Sequence, residues 1–145
     1  FGYRTWESLT LEAGTPMFET ELDGTVPNVL GLRNALDFSK GCYVGQEVVS
    51  KIENRGRPSR RLVGLALDSV PEPGAAVFAG DSHAGEVTRA GDPPLRESPV
   101  ALAFVGFGDD LDTLTVRVDG EQVAASHEPL PFVDGSERSA RLPEY

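Results

Sequence analysis

The fold of this chain is decided by a short stretch in its second half, Val116-Arg117-Val118-Asp119-Gly120-Glu121-Gln122-Val123. Two alternating runs flank an Asp-Gly pair. That pair favours a two-residue hairpin turn, because Asp and Gly both tolerate the positive φ angles that the turn requires. The stretch therefore predicts two antiparallel strands joined by a tight turn.

Similar apolar runs, separated by glycine, proline and aspartate, surround the hairpin. They predict strands at 62–67, 75–78, 84–90, 100–107, 114–118 and 122–125. About six short strands with turn residues between them are typical of a small antiparallel barrel or sandwich. The polar segment from residue 129 onward has no periodicity, so we expect it either to wrap around the domain or to be disordered.

The first third of the chain has a different pattern. Trp6, Leu9 and Ala13 fall at helical spacing, and Gly14 follows as helix C-termini prefer. Residues 32–38 alternate as a strand does, and 43–54 predict a second helix with an apolar stripe of valine and isoleucine four residues apart. The predicted fold class is therefore α+β: helix, strand, turn and helix, followed by the small barrel.

The composition is acidic: among 145 residues, 23 acids oppose 13 bases, for a net charge of −10. Scattered carboxylates with little lysine suggest a surface suited to high salt, and they disfavour nucleic-acid binding, which needs basic surface. One cysteine excludes an internal disulfide and favours a cytoplasmic location. No run is long enough to span a membrane, so no membrane partner is expected. Phe1 opens the chain without a visible signal peptide, so we expect a piece of a longer or processed protein.

A glycine-bracketed turn before the second predicted helix is the first candidate site, Ser39-Lys40-Gly41-Cys42-Tyr43-Val44-Gly45-Gln46-Glu47. Amides at a helix start are unpaired and attract negative groups, and a cysteine there can be more reactive than a core thiol. The alternative is a packed cysteine. Spacing alone favours that alternative, because free cysteine is among the most buried residue types.

Two further groups are candidates. Glu12 lies in the last turn of the first predicted helix, where the dipole disfavours a carboxylate; it is either an accident of a solvated face or held for a ligand. The cluster of Arg55, Arg57, Arg60 and Arg61 either balances nearby acids or grips an anion.

Several kinds of site are not supported by the sequence. The two histidines, His83 and His127, have no zinc-like or iron-like spacing, so no metal site is predicted. A Cys–His hydrolase would require the fold to bring a histidine to Cys42. Neither a phosphate loop nor a dinucleotide fingerprint is present.

Two strings carry a resemblance to a known superfamily: Leu11-Glu12-Ala13-Gly14-Thr15-Pro16 and Lys40-Gly41-Cys42-Tyr43-Val44-Gly45-Gln46-Glu47. The chain resembles the C-terminal part of tetrahydrofolate-binding proteins that include the glycine-cleavage T-protein (aminomethyltransferase) and its YgfZ-type relatives. The first string is shared with T-proteins, and the second resembles the YgfZ-type signature. Looser matches lie at 56–65, 84–88 and 98–103.

The resemblance implies a three-domain ring with folate in its centre. Residues 1–57 would be the C-terminal portion of the folate-binding α/β domain, 58–130 the aminomethyltransferase-type C-terminal β-barrel, and 131–145 a tail. Tetrahydrofolate is the implied cofactor: Glu12 matches the glutamate that hydrogen-bonds the pterin. Lys40 and one or more of Arg57, Arg60 and Arg61 are further candidate folate-binding residues. Cys42 matches the functional cysteine of YgfZ-type proteins.

Three functions stay open on this resemblance. The first is a YgfZ-type protein that supports iron–sulfur cluster assembly or repair in a folate-dependent way. The second is an aminomethyltransferase of glycine cleavage, which transfers a one-carbon unit to tetrahydrofolate, with demethylases and oxidases of the superfamily as variants. The third is a non-catalytic structural unit. The implied partners are folate, a lipoyl-carrier protein or iron–sulfur proteins, and the N-terminal half of the parent chain, which in T-proteins holds the catalytic aspartate.

Overall fold

A computed structural model describes residues 2–32 and 39–133 of the chain, apart from the side chains of 53–55. The predicted strand at 32–38 therefore lies almost wholly outside the described residues. The helices are α1 (Tyr3–Glu12) and α2 (Gln46–Arg55), and two short helical turns, Phe18–Leu22 and Pro27–Leu30, lie between them. The strands are β1 (Arg60–Ala66), β2 (Ala76–Ala79), β3 (Ser82–Gly91), β4 (Val100–Gly106), β5 (Leu114–Val118), β6 (Glu121–Ala124) and β7 (Ser126–Glu128).

The described strands form one antiparallel sheet in the order β6-β5-β2-β3-β4-β1-β7. Strands β6 and β7 stand at opposite edges of this sheet, yet only Ala125 separates them in sequence. The sheet must therefore curl until its edges approach each other, and the Ala125 N–H donates to the Leu114 carbonyl oxygen at 3.0 Å. The predicted α+β class with an antiparallel barrel is confirmed as a curled half-barrel, with seven strands where about six were predicted.

The hairpin that the sequence predicts is present. Val118 pairs with Glu121 across the turn. Asp119 has a φ of 50° and Gly120 a φ of 84°, both in the left-handed region. Positive φ at both central residues is the geometry in which a two-residue turn matches the twist of its flanking strands.

Strand β4 is buried on both faces and separates two hydrophobic clusters. Ala101, Ala103 and Val105 point into the half-barrel, where small side chains fit the concave face. The alternate residues belong to a second cluster on the other face, which consists of Leu11, Val29, Leu30, Leu62, Val100, Leu102, Phe104 and Phe132. The N-terminal segment thus covers the outer face of the sheet with its own apolar residues.

The beginning of the C-terminal segment closes this second cluster. Phe132 is 6% exposed, and its N–H donates to the Glu12 carbonyl oxygen at 2.9 Å. Gly64 makes room for it: a Cβ at that position would lie 2.7 Å from the Phe132 ring. Burying one phenylalanine contributes about 2 kcal/mol. Residues 129–133 therefore wrap around the domain, and 134–145 lie outside the described part.

The apolar stripes that the sequence predicted for the helices do not face the barrel. On α1, Trp6 and Leu9 are exposed while Leu11 is buried. Beside and on α2, Val44 and Val48 are exposed while Val49 is buried. Helical spacing identifies an apolar face but carries no information on which neighbour covers it, and most of each stripe is exposed in the described part of the chain.

A buried carboxylate ties the N-terminal segment to the sheet. Glu21 Oε1 accepts from Thr88 Oγ1 at 2.7 Å and from Arg89 Nε at 3.0 Å, and its Oε2 accepts from Met17 N–H and Thr20 Oγ1. Burial alone would raise the pKa of Glu21, but these hydrogen bonds and the charge of Arg89 outweigh burial and hold the pKa below the ordinary value of 4.5.

The same arginine reaches two more groups of the N-terminal segment. Arg89 Nη1 donates to Thr10 Oγ1 at 3.1 Å, and Nη2 donates to the Thr15 carbonyl oxygen at 2.6 Å. Neighbouring strand residues normally point to opposite faces. A shift in the β3–β4 register between Val87 and Arg89 lets both Thr88 and Arg89 reach Glu21.

Replacing Arg89 with methionine should lower the free energy of unfolding by about 3–5 kcal/mol, because it leaves the Glu21 carboxylate buried without its cation. Chemical denaturation at neutral pH measures the change. Arg117→Met is a matched control, since Arg117 is exposed and lies 5.1 Å from the centroid of the Phe78 ring. Equal losses in both variants would contradict the role of the buried pair.

The Glu21 carboxylate should also make stability depend on pH. Because its folded pKa is lowered, the stabilisation is complete above the unfolded value of about 4.5 and is lost as pH falls through the folded pKa. The difference in unfolding free energy between wild type and Glu21→Gln should therefore be constant from pH 5.5 to 7, roughly a unit or more above that value. It should shrink at lower pH, and a difference independent of pH down to acid unfolding would argue against this account.

Candidate functional site

Glu12 ends α1 in the interior of the molecule. Its side chain is 1% exposed, and Oε1 accepts the Leu95 N–H at 2.9 Å. Its second oxygen accepts no hydrogen bond from the described residues, and no arginine or lysine among them pairs with it. A buried carboxylate is normally paired or fully hydrogen-bonded, so Glu12 has unused capacity to bind a donor.

Cys42 lies in an open loop before α2. The thiol is exposed, which is the opposite of the packed cysteine that spacing alone favoured. The helix begins at Gln46, after Gly45 with a φ of 84°. Cys42 is thus four positions before the first helical residue, and the expectation that it lies at the helix start was wrong. Lys40 Nζ is 5.1 Å from the centroid of the Tyr43 ring.

Three of the clustered arginines lie on aromatic rings. The guanidinium carbons of Arg57 and Arg61 are 5.4 Å and 5.0 Å from the centroid of the Phe107 ring. Arg60 lies 4.3 Å from the Phe104 ring. None of the three pairs with a carboxylate among the described residues. Stacking fixes the guanidinium planes while leaving their charge available, so the alternative of local charge balance is not supported.

A half-enclosed cleft of about 180 Å³, here called the Arg61 cleft, lies beside these arginines. Its wall is formed by the turn at Pro27–Leu30, by β1 and by the chain after β7, and Phe107 lies at its edge. Arg61 Nε is buried in this region without an acceptor among the described residues. Partial burial lowers the pKa of His127, which also lines the cleft, and the charge of Arg61 lowers it further.

The predicted site residues do not form one cluster. Glu12 binds the loop that precedes β4, whereas Arg60 pairs with Gly106 at the far end of β4. Seven strand residues separate these ends by about 20 Å. Arg57, Arg60 and Arg61 do come together around Phe104 and Phe107, and Lys40 lies near Tyr43, which is next to Cys42 in sequence. A single ligand that contacted both Glu12 and the arginines would have to span about 20 Å, the length of β4.

The sequence did not identify two ion pairs, of which the first is mostly buried and the second is half-buried. Arg89 with Glu21, and Arg96 with Glu128, are partly or fully buried pairs that link distant segments. An arginine within the apolar run 84–90 was the available signal for the first pair. Within 2–32 and 39–133, no group of three or more His, Cys, Asp and Glu residues could hold a metal ion, and the helices found there are too short or too polar to cross a membrane.

Comparison with known proteins places this geometry in a family. Residues 60–134 match the family described as the glycine cleavage T-protein C-terminal barrel domain. An aminomethyltransferase from Streptomyces coelicolor is 36% identical over 88% of the chain, and a tRNA-modifying protein YgfZ from Pectobacterium atrosepticum is 32% identical over 89%. The crystal structure of a glycine cleavage system aminomethyltransferase T from Bartonella henselae superimposes with a TM-score of 0.78 and 28% identity over 88% of the chain.

The chain spans only part of each relative. It corresponds to 35% of the Streptomyces protein, 41% of the Pectobacterium protein and 38% of the Bartonella chain. The matched family region contains all seven strands of the half-barrel. The chain therefore belongs to the glycine cleavage T-protein C-terminal barrel family, within the superfamily that aminomethyltransferases and YgfZ proteins share.

Proposed function

We propose that the parent protein of this chain is a tetrahydrofolate-binding protein of the YgfZ type, which supports the assembly or repair of iron–sulfur clusters. In this proposal residues 1–57 complete the folate-binding domain and 58–130 form the barrel beside it. Cys42 is the functional residue, and Glu12, Lys40 and the stacked arginines are the folate-binding residues. The part of the relatives that this chain does not span, about three fifths of their length, supplies the rest of the site.

The exposed thiol of Cys42 is the observation that carries the YgfZ-type assignment. The thiol lies in the string Lys-Gly-Cys-Tyr-Val-Gly-Gln-Glu and is exposed, so burial in a core does not explain a cysteine there. An exposed cysteine can exchange with a metal-bound or disulfide sulfur, which a buried structural cysteine cannot. These observations favour a chemical role for Cys42 over a structural one.

The folate part of the proposal rests on Glu12. A buried carboxylate with one hydrogen bond is costly unless a ligand supplies further donors. The adjacent N–H groups of a pterin ring can donate to a carboxylate in the paired manner of a guanidinium. The loop around Leu95, which holds Oε1, would have to leave the second oxygen accessible to the ring.

Direct RNA binding is not part of the proposal, although a relative is called a tRNA-modifying protein. The net charge of −10 repels phosphate, and the only basic cluster is small. A role exerted through other proteins fits this charge better.

An aminomethyltransferase of glycine cleavage is the second candidate. The Streptomyces relative of that name covers 88% of the chain, and the YgfZ relative covers 89%. In this alternative a lipoyl-bound aminomethyl group would give its methylene unit to tetrahydrofolate and release ammonia. The sequence before residue 1 in the parent separates the two, because only an aminomethyltransferase needs an aspartate at the T-protein catalytic position.

Replacing Cys42 with alanine in the full-length protein should abolish its support of iron–sulfur enzymes. Complementation of cells that lack the protein, scored by the activity of a cluster-containing enzyme, measures this. The native thiol should also react rapidly with a thiol reagent. Val44→Ala is the matched control, since Val44 is exposed in the same loop. Full complementation by Cys42→Ala would remove the thiol from the mechanism.

Replacing Glu12 with glutamine should weaken tetrahydrofolate binding by about 10- to 100-fold, as expected for losing hydrogen bonds to a charged acceptor. Glutamine keeps an oxygen for the Leu95 N–H, so the fold should be retained. Calorimetric titration of the full-length protein measures the affinity. Glu7→Gln, on the exposed side of the same helix, should bind as wild type does. Equal affinities in all three proteins would exclude a direct contact with Glu12.

A further inference from the structure

The Arg61 guanidinium lines the cleft and pairs with no carboxylate among the described residues. Its Nε is closed off from solvent, so a molecule in the cleft would be contacted by the outer nitrogens of the guanidinium. The guanidinium is held in place by the Phe107 ring, 5.0 Å from its carbon atom. Glu128, the carboxylate that lines the cleft, is already bound to Arg96 Nη2. A guanidinium that lines an apolar cleft without a carboxylate partner favours an external carboxylate or carbonyl oxygen.

The rest of the cleft is suited to a flat apolar group. Val29, Leu62 and Leu130 line it, and they come from three different segments of the chain. Its volume of about 180 Å³ is close to that of cavities of about 150 Å³ that bind benzene in other proteins. The cleft therefore has room for one six-membered ring but not for a fused ring with a long tail.

We propose that the Arg61 cleft binds a single aromatic ring that carries a carboxylate or carbonyl group, whose oxygen accepts from the Arg61 guanidinium. The ring lies against Val29, Leu62 and Leu130, and the oxygen supplies an acceptor that the guanidinium lacks among the described residues. Burial and the charge of Arg61 lower the pKa of His127, which favours its neutral form.

Two sources have this chemistry. One is a free benzoate-like metabolite, and the other is the aminobenzoyl-glutamate part of tetrahydrofolate, in which a single ring carries a carbonyl group. The inference does not require the proposed folate function, because a benzoate-sized ligand would fit the cleft in either case.

The test is a titration of the full-length protein with sodium benzoate, followed by calorimetry or by ligand-observed NMR. Benzoate should bind saturably, and acetate, which lacks the ring, should not. Arg61→Met should weaken benzoate binding by about tenfold, the effect of one hydrogen bond to a charged group. The matched control is Arg117→Met, because Arg117 also lies on a phenylalanine ring, 5.1 Å from its centroid, and does not line the Arg61 cleft.

Each result bears on the inference. Absence of saturable benzoate binding, or equal affinity in Arg61→Met and wild type, would overturn it. Competition between tetrahydrofolate and benzoate would support it and identify the aminobenzoyl group as the natural occupant. Benzoate binding without competition would support it with a separate small carboxylate as the ligand. Failure of tetrahydrofolate to bind at all, with benzoate still bound, would count against the proposed folate function alone.

Discussion

The ion pair between Glu21 and Arg89 is the constraint on which the arrangement of this molecule depends. It joins a helical turn near the start of the chain to the third strand of the sheet, 68 positions away. Both partners are largely buried, so the pair is stabilising only while every hydrogen bond around it is made. Met17, Thr20 and Thr88 donate the other hydrogen bonds to the Glu21 carboxylate. Thr10 and Thr15 accept the other hydrogen bonds from the Arg89 guanidinium. This mutual satisfaction fixes one position of the N-terminal segment on the barrel.

With that segment in place, the sheet separates two hydrophobic clusters, one on each of its faces. Strand β4 gives small residues to the inside of the half-barrel and larger ones to the layer beneath α1. Closure follows from connectivity, since β6 and β7 are joined by one residue yet pair at opposite edges. Phe132 then fills the space left by Gly64 and brings the C-terminal segment against Glu12. Glu12 is thus held on a helix and Arg60 and Arg61 on a strand, as precise recognition requires.

The candidate ligand-binding groups lie towards opposite ends of β4. At one end is Glu12, a buried carboxylate with a single hydrogen bond. At the other are stacked arginines without carboxylate partners, although the chain has 23 acids available. Glu12 is an interior charge, whereas Arg57 and Arg60 are exposed and Arg61 is half-buried. Charges that have no ionic partner in a folded protein are candidates for ligand binding. The apolar faces of α1 and α2 are also without a partner, because nothing in the described part of the chain covers them.

The sequence by itself determined the α+β class, the six longer strands, both helices and the hairpin at Asp119-Gly120, because these depend on local periodicity and on the φ preferences of single residues. It also pointed to Glu12, Cys42 and the arginines as unusual. Only the tertiary structure decided that a seventh strand closes the half-barrel, that Val49 rather than Val48 is buried, and that Cys42 is exposed. It alone revealed the Glu21–Arg89 pair and the cleft at Arg61. These features arise from contacts between residues far apart in the chain, and such contacts leave no periodic trace in the sequence.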